Sequence, residues 1–309
     1  MEIVKRILLL AALLAACNRR PGTVRLVLQP PSTNNYPSYF ASWLGFYKEE
    51  GVDVAISQIA GASKVLEAVV GGSADVGGGV YEQTLQMKAE GKSVVAFLSL
   101  LKSPNFAILG APGIRKLADL RGKTVGVSSV GSPSQTYLIY LLQKNGVKAA
   151  EVSTATIGMG ATAMAALEHG QVDAAVLFGS AITAYLSRHP DAAILADTRT
   201  PDGLFAAFQV RDYPASCLLA RREWLDAHPE ETKKMARAVL RALAWIREHP
   251  AEEILAHVPS AGDRAAELEA IRLAQPMYSA DGIIKKESAD AVRVILGLKV
   301  DVAGSYLAP

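Results

Sequence analysis

Short apolar runs alternate with stretches of helical spacing from Thr23 to about Thr198. Val24–Leu28 predicts a strand, and Tyr36–Glu50 predicts a helix that Gly51 ends as a left-handed cap residue does. Val52–Ile56 is the next strand, Ser63–Val70 the next helix, and Asp75-Val76 opens another strand. A further helix closes at Met87–Gly91 ahead of the apolar stretch Val94–Leu101. After Pro112 the pattern restarts, with strands at Thr124–Val127, Val152–Ile157 and Asp173–Phe178 and helices at Ser132–Asn145 and Ala161–His169. Such alternation predicts a mostly parallel sheet with helices on both faces. Gly72-Ser73-Ala74-Asp75 is echoed by Gly170-Gln171-Val172-Asp173, 98 residues on. Each pairs a helix-stopping glycine with an aspartate that opens a strand, which points to two similar lobes. Beyond a strand near Cys217–Ala220, helices dominate. Pro229–Glu248 spaces Met235, Val239, Leu240, Leu243 and Ile246 as one apolar stripe. Glu252–Val258, Asp263–Ala274 and Glu287–Leu298 continue the helical run, expected to wrap the first lobe.

The start of the chain changes the picture of where it works. Lys5 and Arg6 precede an unbroken apolar run, Ile7–Ala16, too short to span a bilayer, which needs about 20 apolar residues. A basic start before a short apolar core is a secretory signal pattern. Its end, Leu14-Ala15-Ala16-Cys17, resembles the bacterial lipoprotein box, which implies acylation of Cys17 after removal of residues 1–16 and a tether over 17–23. Of the 309 residues, 293 then remain, enough for two domains. With Cys17 lipidated only Cys217 is left, so no disulfide forms within one chain and the core alone must hold the fold. The net charge of +2 falls to +1 once Glu2, Lys5 and Arg6 are removed, and no basic stripe with interleaved aromatics appears. Nucleic acid is therefore not an expected partner.

Four strand-to-helix turns lie at the edge where open α/β sheets bind ligands: 32–38, 77–81, 128–134 and 178–180. Ser132 is a good N-cap, Pro133 suits the first helical position and Gly131 lets backbone approach a ligand, so free helix N–H groups there would attract carboxylate, sulfonate or phosphate. Asn34, Asn35 and Ser38 add polar groups at the first turn. Tyr36, Phe40, Trp43 and Tyr47 share one helical face expected to be core, with Tyr36 alone placed on ligand. Gly158-Met159-Gly160-Ala161-Thr162-Ala163 fits the glycine pattern of dinucleotide sites, but no acidic residue ends the next strand. That turn is kept as a pocket wall. The ligand candidates are thus Asn35, Tyr36, Ser38, Gly78, Gly79, Tyr81, Ser129, Ser132, Met159, Gly160, Phe178 and Ser180. Three of the five histidines sit in His-Pro pairs; His228-Pro229 and His249-Pro250 read as helix-boundary pairs, and no histidine metal site is expected. With no G-x-S-x-G elbow, H-E-x-x-H or P-loop, neither an enzyme nor a cofactor is expected.

Five phrases in order carry a family resemblance. They are Gly45–Val54, Gly72–Gly77, Asp119–Val127, Gly170–Ala174 and Trp224–Glu230. Over nearly all of residues 24–260 the chain resembles substrate-binding proteins of nitrate/taurine/sulfonate-type ABC importers. The resemblance implies a type II periplasmic-binding (Venus-flytrap) fold: an α/β architecture of two Rossmann-like lobes joined by two crossing strands. Lobe 1 would comprise 24–108 plus 214–309 and lobe 2 would comprise 109–213, the chain crossing near Ala107–Gly110 and returning near Gln209–Cys217. It further implies a monomer held to a bacterial membrane through Cys17, in the periplasm or at the cell surface. Its partners would be a small-molecule solute and the ABC permease and ATPase subunits. Many relatives carry an aromatic-acidic-proline phrase where this chain has Phe178-Gly179-Ser180, so one pocket wall differs. A small organic anion, sulfonate-like, is the expected solute; alternatives are a thiamine pyrimidine precursor, or an enzyme on the same fold.

Overall fold

The computed structural model describes residues 22–259 and 263–307. The signal segment and Cys17 lie outside the described residues. No helix among the described residues is long and apolar enough to cross a membrane.

Ten strands form two five-stranded sheets. The first holds β1 (Thr23–Leu28), β2 (Asp53–Gln58), β3 (Val76–Val80), β4 (Val94–Ser99) and β10 (Ser216–Arg221), in the order β2-β1-β3-β10-β4. The second holds β5 (Phe106–Gly110), β6 (Thr124–Val127), β7 (Ser153–Thr156), β8 (Ala174–Phe178) and β9 (Ala193–Asp197), in the order β7-β6-β8-β5-β9. Each sheet pairs its first three chain-order parallel strands and then takes in one antiparallel strand: β10 runs against β3 and β4, and β5 against β8 and β9. The two-lobed α/β fold is therefore as expected. The first crossing precedes Ala107, because β5 from Phe106 onward is already in the second sheet, and the return precedes β10 at Ser216.

The echoed aspartates have one job in both lobes. Asp75 Oδ2 accepts the main-chain N–H of Arg25 at 2.9 Å, and Asp173 Oδ2 accepts that of Thr124 at 2.9 Å. Each residue's own N–H donates to the carbonyl of the same partner, at 3.0 and 2.8 Å. The carboxylate thus fastens the start of its strand to the first parallel strand of its sheet, an end where main-chain donors would otherwise lack partners.

The parallel strands each feed a helix: α1 (Tyr36–Trp43) after β1, α2 (Ala62–Val70) after β2, α3 (Tyr81–Ala89) after β3, α4 (Pro133–Lys144) after β6, α5 (Ala161–Glu168) after β7 and α6 (Ser180–Arg188) after β8. The expected helix over 36–50 is broken, because Gly45 at φ +78° ends α1 and starts a separate turn at Phe46–Glu49. Phe40 and Tyr47 are buried as expected of the core, Trp43 is half-buried, and Tyr36, placed on ligand, is buried too. β9 and the helix Pro201–Phe208 were not anticipated; the pattern Ala-Ile-Leu-Ala-Asp is too short to separate strand from helix by period.

In the last third, α7 (Pro229–Glu248) packs on α1 and buries Met235, Val239, Leu243 and Ile246 with no exposed surface. The helix α8 (Arg264–Ala274) departs from expectation by packing on α6 of the second lobe, with Ala266 in that lobe's apolar cluster. At the boundary pairs, Nδ1 of His228 donates to the Trp224 carbonyl (2.9 Å) and Nδ1 of His249 to the Trp245 carbonyl (2.7 Å), each ring stacked on the same tryptophan.

Candidate functional site

The carboxyl ends of β1–β3 and of β6–β8, with the N-termini of α1–α6, form the two edges that can meet across the molecule. They do meet. Glu82, second residue of α3, reaches the Tyr137 hydroxyl on α4, and Asn105, just before β5, reaches the β1–α1 turn.

At the first edge several candidate side chains are committed to their own lobe. The Asn35 amide holds the turn, its Oδ1 accepting the Ser32 N–H (2.8 Å) and its Nδ2 donating to the carbonyls of Gln29 (2.9 Å) and Pro30 (3.1 Å). Ser38 is buried beside Tyr47, inside the lobe. The Tyr36 hydroxyl donates to Glu267 at 2.5 Å, and burial, then the charge of Glu267, pushes its pKa far up. Gly78 and Gly79 are packing positions: a Cβ would stand 2.4 Å from Leu28 Cδ2 at the first and 2.5 Å from Leu219 Cδ2 at the second. Tyr81 turns toward the chain's C-terminal segment, its hydroxyl 2.7 Å from Ser305 Oγ.

The second edge is more open. Ser132 does not cap α4 with its hydroxyl, as its position suggested. Instead Ser128, Ser132 and Ser134 join hydroxyls at 2.7–3.0 Å, and Ser134 Oγ also accepts the Ser128 N–H at 3.0 Å. Ser129 and Ser180 are half-buried, Gly160 is exposed, and Met159 is 44% exposed. Phe178 packs on Phe106 with ring centres 6.1 Å apart, so the wall keeps its aromatic.

The group that sequence reasoning missed stands between these edges. Glu82 has no exposed surface, and its Oε1 accepts both the Tyr137 hydroxyl and, at 2.9 Å, the hydroxyl of Tyr213 on the returning crossing. Burial raises its carboxyl to about 7, against the lowering effect of Tyr137, of its own main-chain N–H and of Tyr213. Tyr137 stacks on Phe106 at 4.9 Å and 4°, and Phe208 meets both rings at 6.0 Å. An acid in the first turn of a helix is ordinarily read as a dipole partner, which hid Glu82 in the sequence. Asn105, 3% exposed at φ +55°, donates from Nδ2 to Thr33 Oγ1 (3.1 Å) and Asn34 Oδ1 (2.9 Å), fixing the first crossing to the first mouth. Together these groups tie the two edges through a buried carboxyl and packed aromatic rings, beside the more open helix N-termini and hydroxyls of the second edge.

Comparisons with known proteins agree with this architecture. Residues 32–253 match the family model described as NMT1/THI5 like. A solved protein of Bordetella bronchiseptica RB50 superposes with a TM-score of 0.85 at 34% identity, covering 93% of this chain and 95% of that one. The alkanesulfonate-binding protein SsuA from Xanthomonas axonopodis, bound to MOPS, superposes at 0.75 with 18% identity over 94% of this chain and all of its own. A curated relative, 4-amino-5-hydroxymethyl-2-methylpyrimidine phosphate synthase THI13 of Saccharomyces cerevisiae, is 26% identical over 227 residues, 71% of this chain. The match spans 65% of that relative's length. The expectation that the chain is not an enzyme is overturned by these names, since further curated relatives are called the same synthase. The G-x-S-x-G, H-E-x-x-H and P-loop patterns absent from the sequence belong to hydrolases, metalloenzymes and nucleotide enzymes, and their absence says nothing of synthase chemistry.

Proposed function

The chain belongs to the NMT1/THI5-like family, and from that footing we propose that it is the solute-binding component of an ABC importer, working outside the cytoplasm. It captures a small organic anion between its two lobes and presents it to the permease, tethered through lipid on Cys17. The supporting observation is the meeting of two strand-end edges across two crossings, with six helix N-termini on those edges. Main-chain N–H groups at helix starts favour negative charge, and the hydroxyls of Ser128, Ser132 and Ser134 lie at one of them. A solute touching both edges favours the closed form by its differential affinity for it, and the closed form docks. The similarity of fold to SsuA supports the same reading.

The test is a thermal-shift and scattering screen of the full chain with sulfonates, carboxylates and pyrimidines. Stabilisation by one class with a smaller radius of gyration is expected; no response to any class would end the proposal. Labelled-lipid incorporation at Cys17 tests the anchor. A second reading is favoured by the curated names: the chain makes the pyrimidine that a carrier would bind. Expression in a strain lacking the synthase separates the two, because only a synthase relieves its need for 4-amino-5-hydroxymethyl-2-methylpyrimidine.

A further inference from the structure

The helix α8 is tied to lobe 1 by polar contacts along its whole length. Arg264, its first residue, donates from its guanidinium to the carbonyls of Leu255 and Val258, both at 3.1 Å. Glu267 accepts the Tyr36 hydroxyl at 2.5 Å, and Arg272 pairs with Glu252. Gln275, just past the helix, donates from Nε2 to the carbonyls of Ile246 (2.9 Å) and His249 (2.8 Å). The contact with lobe 2 is of another kind. There α8 packs on α6, and Ala266, 3% exposed, belongs to the apolar cluster that holds Leu109, Leu177, Ile182 and Tyr185. Among the described residues no side-chain hydrogen bond or ion pair joins α8 to α6; Arg188 of α6 turns instead to Glu168 and Met164 of its own lobe.

The two attachments are therefore unequal. Directed hydrogen bonds to carbonyls and carboxylates must be broken to lift α8 from lobe 1, whereas the patch on lobe 2 parts at a cost that scales only with the apolar area uncovered, and an alanine contributes little. The helix also bridges the two edges, from Tyr36 at the start of α1 to α6, which follows β8. We propose that α8 is a latch: it stays with lobe 1 when the lobes part and grips lobe 2 through Ala266 when they meet. This apolar grip sets how far the empty protein rests toward the closed form. The closed fraction of the empty protein in turn scales its apparent affinity for anything that binds the closed form alone. The latch needs no solute, so it stands or fails apart from the solute-binding reading.

Distances between spin labels test this in the solute-free full chain. The labels go on Ser63→Cys and Thr162→Cys, exposed second residues of α2 and α5 on the two edges. Cys17→Ser removes one native thiol, and Cys217 is buried. Ala266→Glu should raise the ratio of longer to shorter separations roughly tenfold or more, since docking would bury an unpaired charge in the apolar cluster. Ala265→Glu, at the exposed neighbour on the same helix, should leave that ratio within about twofold. Ala266→Leu, which overfills the same contact with apolar bulk, carries the expectation of the glutamate variant if that one does not fold. Longer separations in the Ala266 variant alone support the latch. An unchanged separation in a variant that melts at a lower temperature makes Ala266 a packing residue only and overturns it, as does equal opening in Ala265→Glu.

Discussion

Replacing Glu82 by glutamine should change how the protein's stability depends on pH. Burial raises this carboxyl from its ordinary 4.5 to about 7 in the folded chain. Between those values the unfolded chain carries a carboxylate while the folded chain keeps the proton, so folding takes up one proton. The stability linked to Glu82 is therefore fully present below about pH 4.5 and is lost as pH rises to about 7. The separation is about 2.5 pH units, and at 1.36 kcal/mol per unit the loss amounts to about 3 kcal/mol. Tyr137, Tyr213 and Cys217 surround the carboxyl, but burial and then the charge of Glu82 raise all three well above their usual ranges, so they stay protonated throughout. Glutamine keeps an oxygen for the two tyrosine hydroxyls and does not titrate. Its amide nitrogen replaces Oε2 and imposes a cost that does not vary with pH. Urea melts of both proteins at pH 5, 6, 7 and 8 give the test, because the difference between variants cancels every other titrating group. Glu82→Gln should gain about 2.5 kcal/mol relative to the natural chain between pH 5 and pH 8, part of the loss already lying below pH 5. A difference that stays constant with pH would refute the assignment of a buried, proton-holding carboxyl at the lobe junction.

Gly78→Ala should lower stability by about 1–3 kcal/mol, because the new methyl would stand 2.4 Å from Leu28 Cδ2 inside a packed strand pair; a melting temperature equal to that of the natural chain would show that Leu28 can turn away. The echoed aspartates should differ in weight: Asp75 has a side chain 5% exposed and holds both the Arg25 guanidinium and its N–H, whereas Asp173 is 38% exposed. Asp75→Ala should cost more than Asp173→Ala by at least about 1 kcal/mol in denaturant melts; equal costs would contradict the ranking by burial.

Periodicity made the strand and helix order readable because five of the six βα units, all but the one ending at Arg188, are closed by a glycine, and the echo of Gly72–Asp75 in Gly170–Asp173 marks the same fastening in both lobes. The breaks in that legibility have local causes. A short strand such as β9 carries too few residues to show a period. The helix over 36–50 reads as continuous because its aromatic face continues past Gly45, yet the positive φ there turns the chain. Site candidates were chosen by position at a turn, and position does not say where a side chain points. Asn35 spends its amide on its own loop, while Tyr81, beside Glu82, turns toward Ser305.

That contrast between Tyr81 and Glu82 carries the functional point. Adjacent residues at the start of α3 reach different partners, Tyr81 toward Ser305 and Glu82 into the junction, as the step of about 100° between neighbouring helical residues allows. The junction is therefore built from residues that each belong to a different segment: Glu82 after β3, Tyr137 on α4, Phe106 at the first crossing and Tyr213 at the second. No window of sequence contains the set. Any movement that parted α3 from α4 would separate Glu82 from Tyr137 and expose a carboxyl that burial raises to about 7. Such a movement would be linked to the protonation of Glu82.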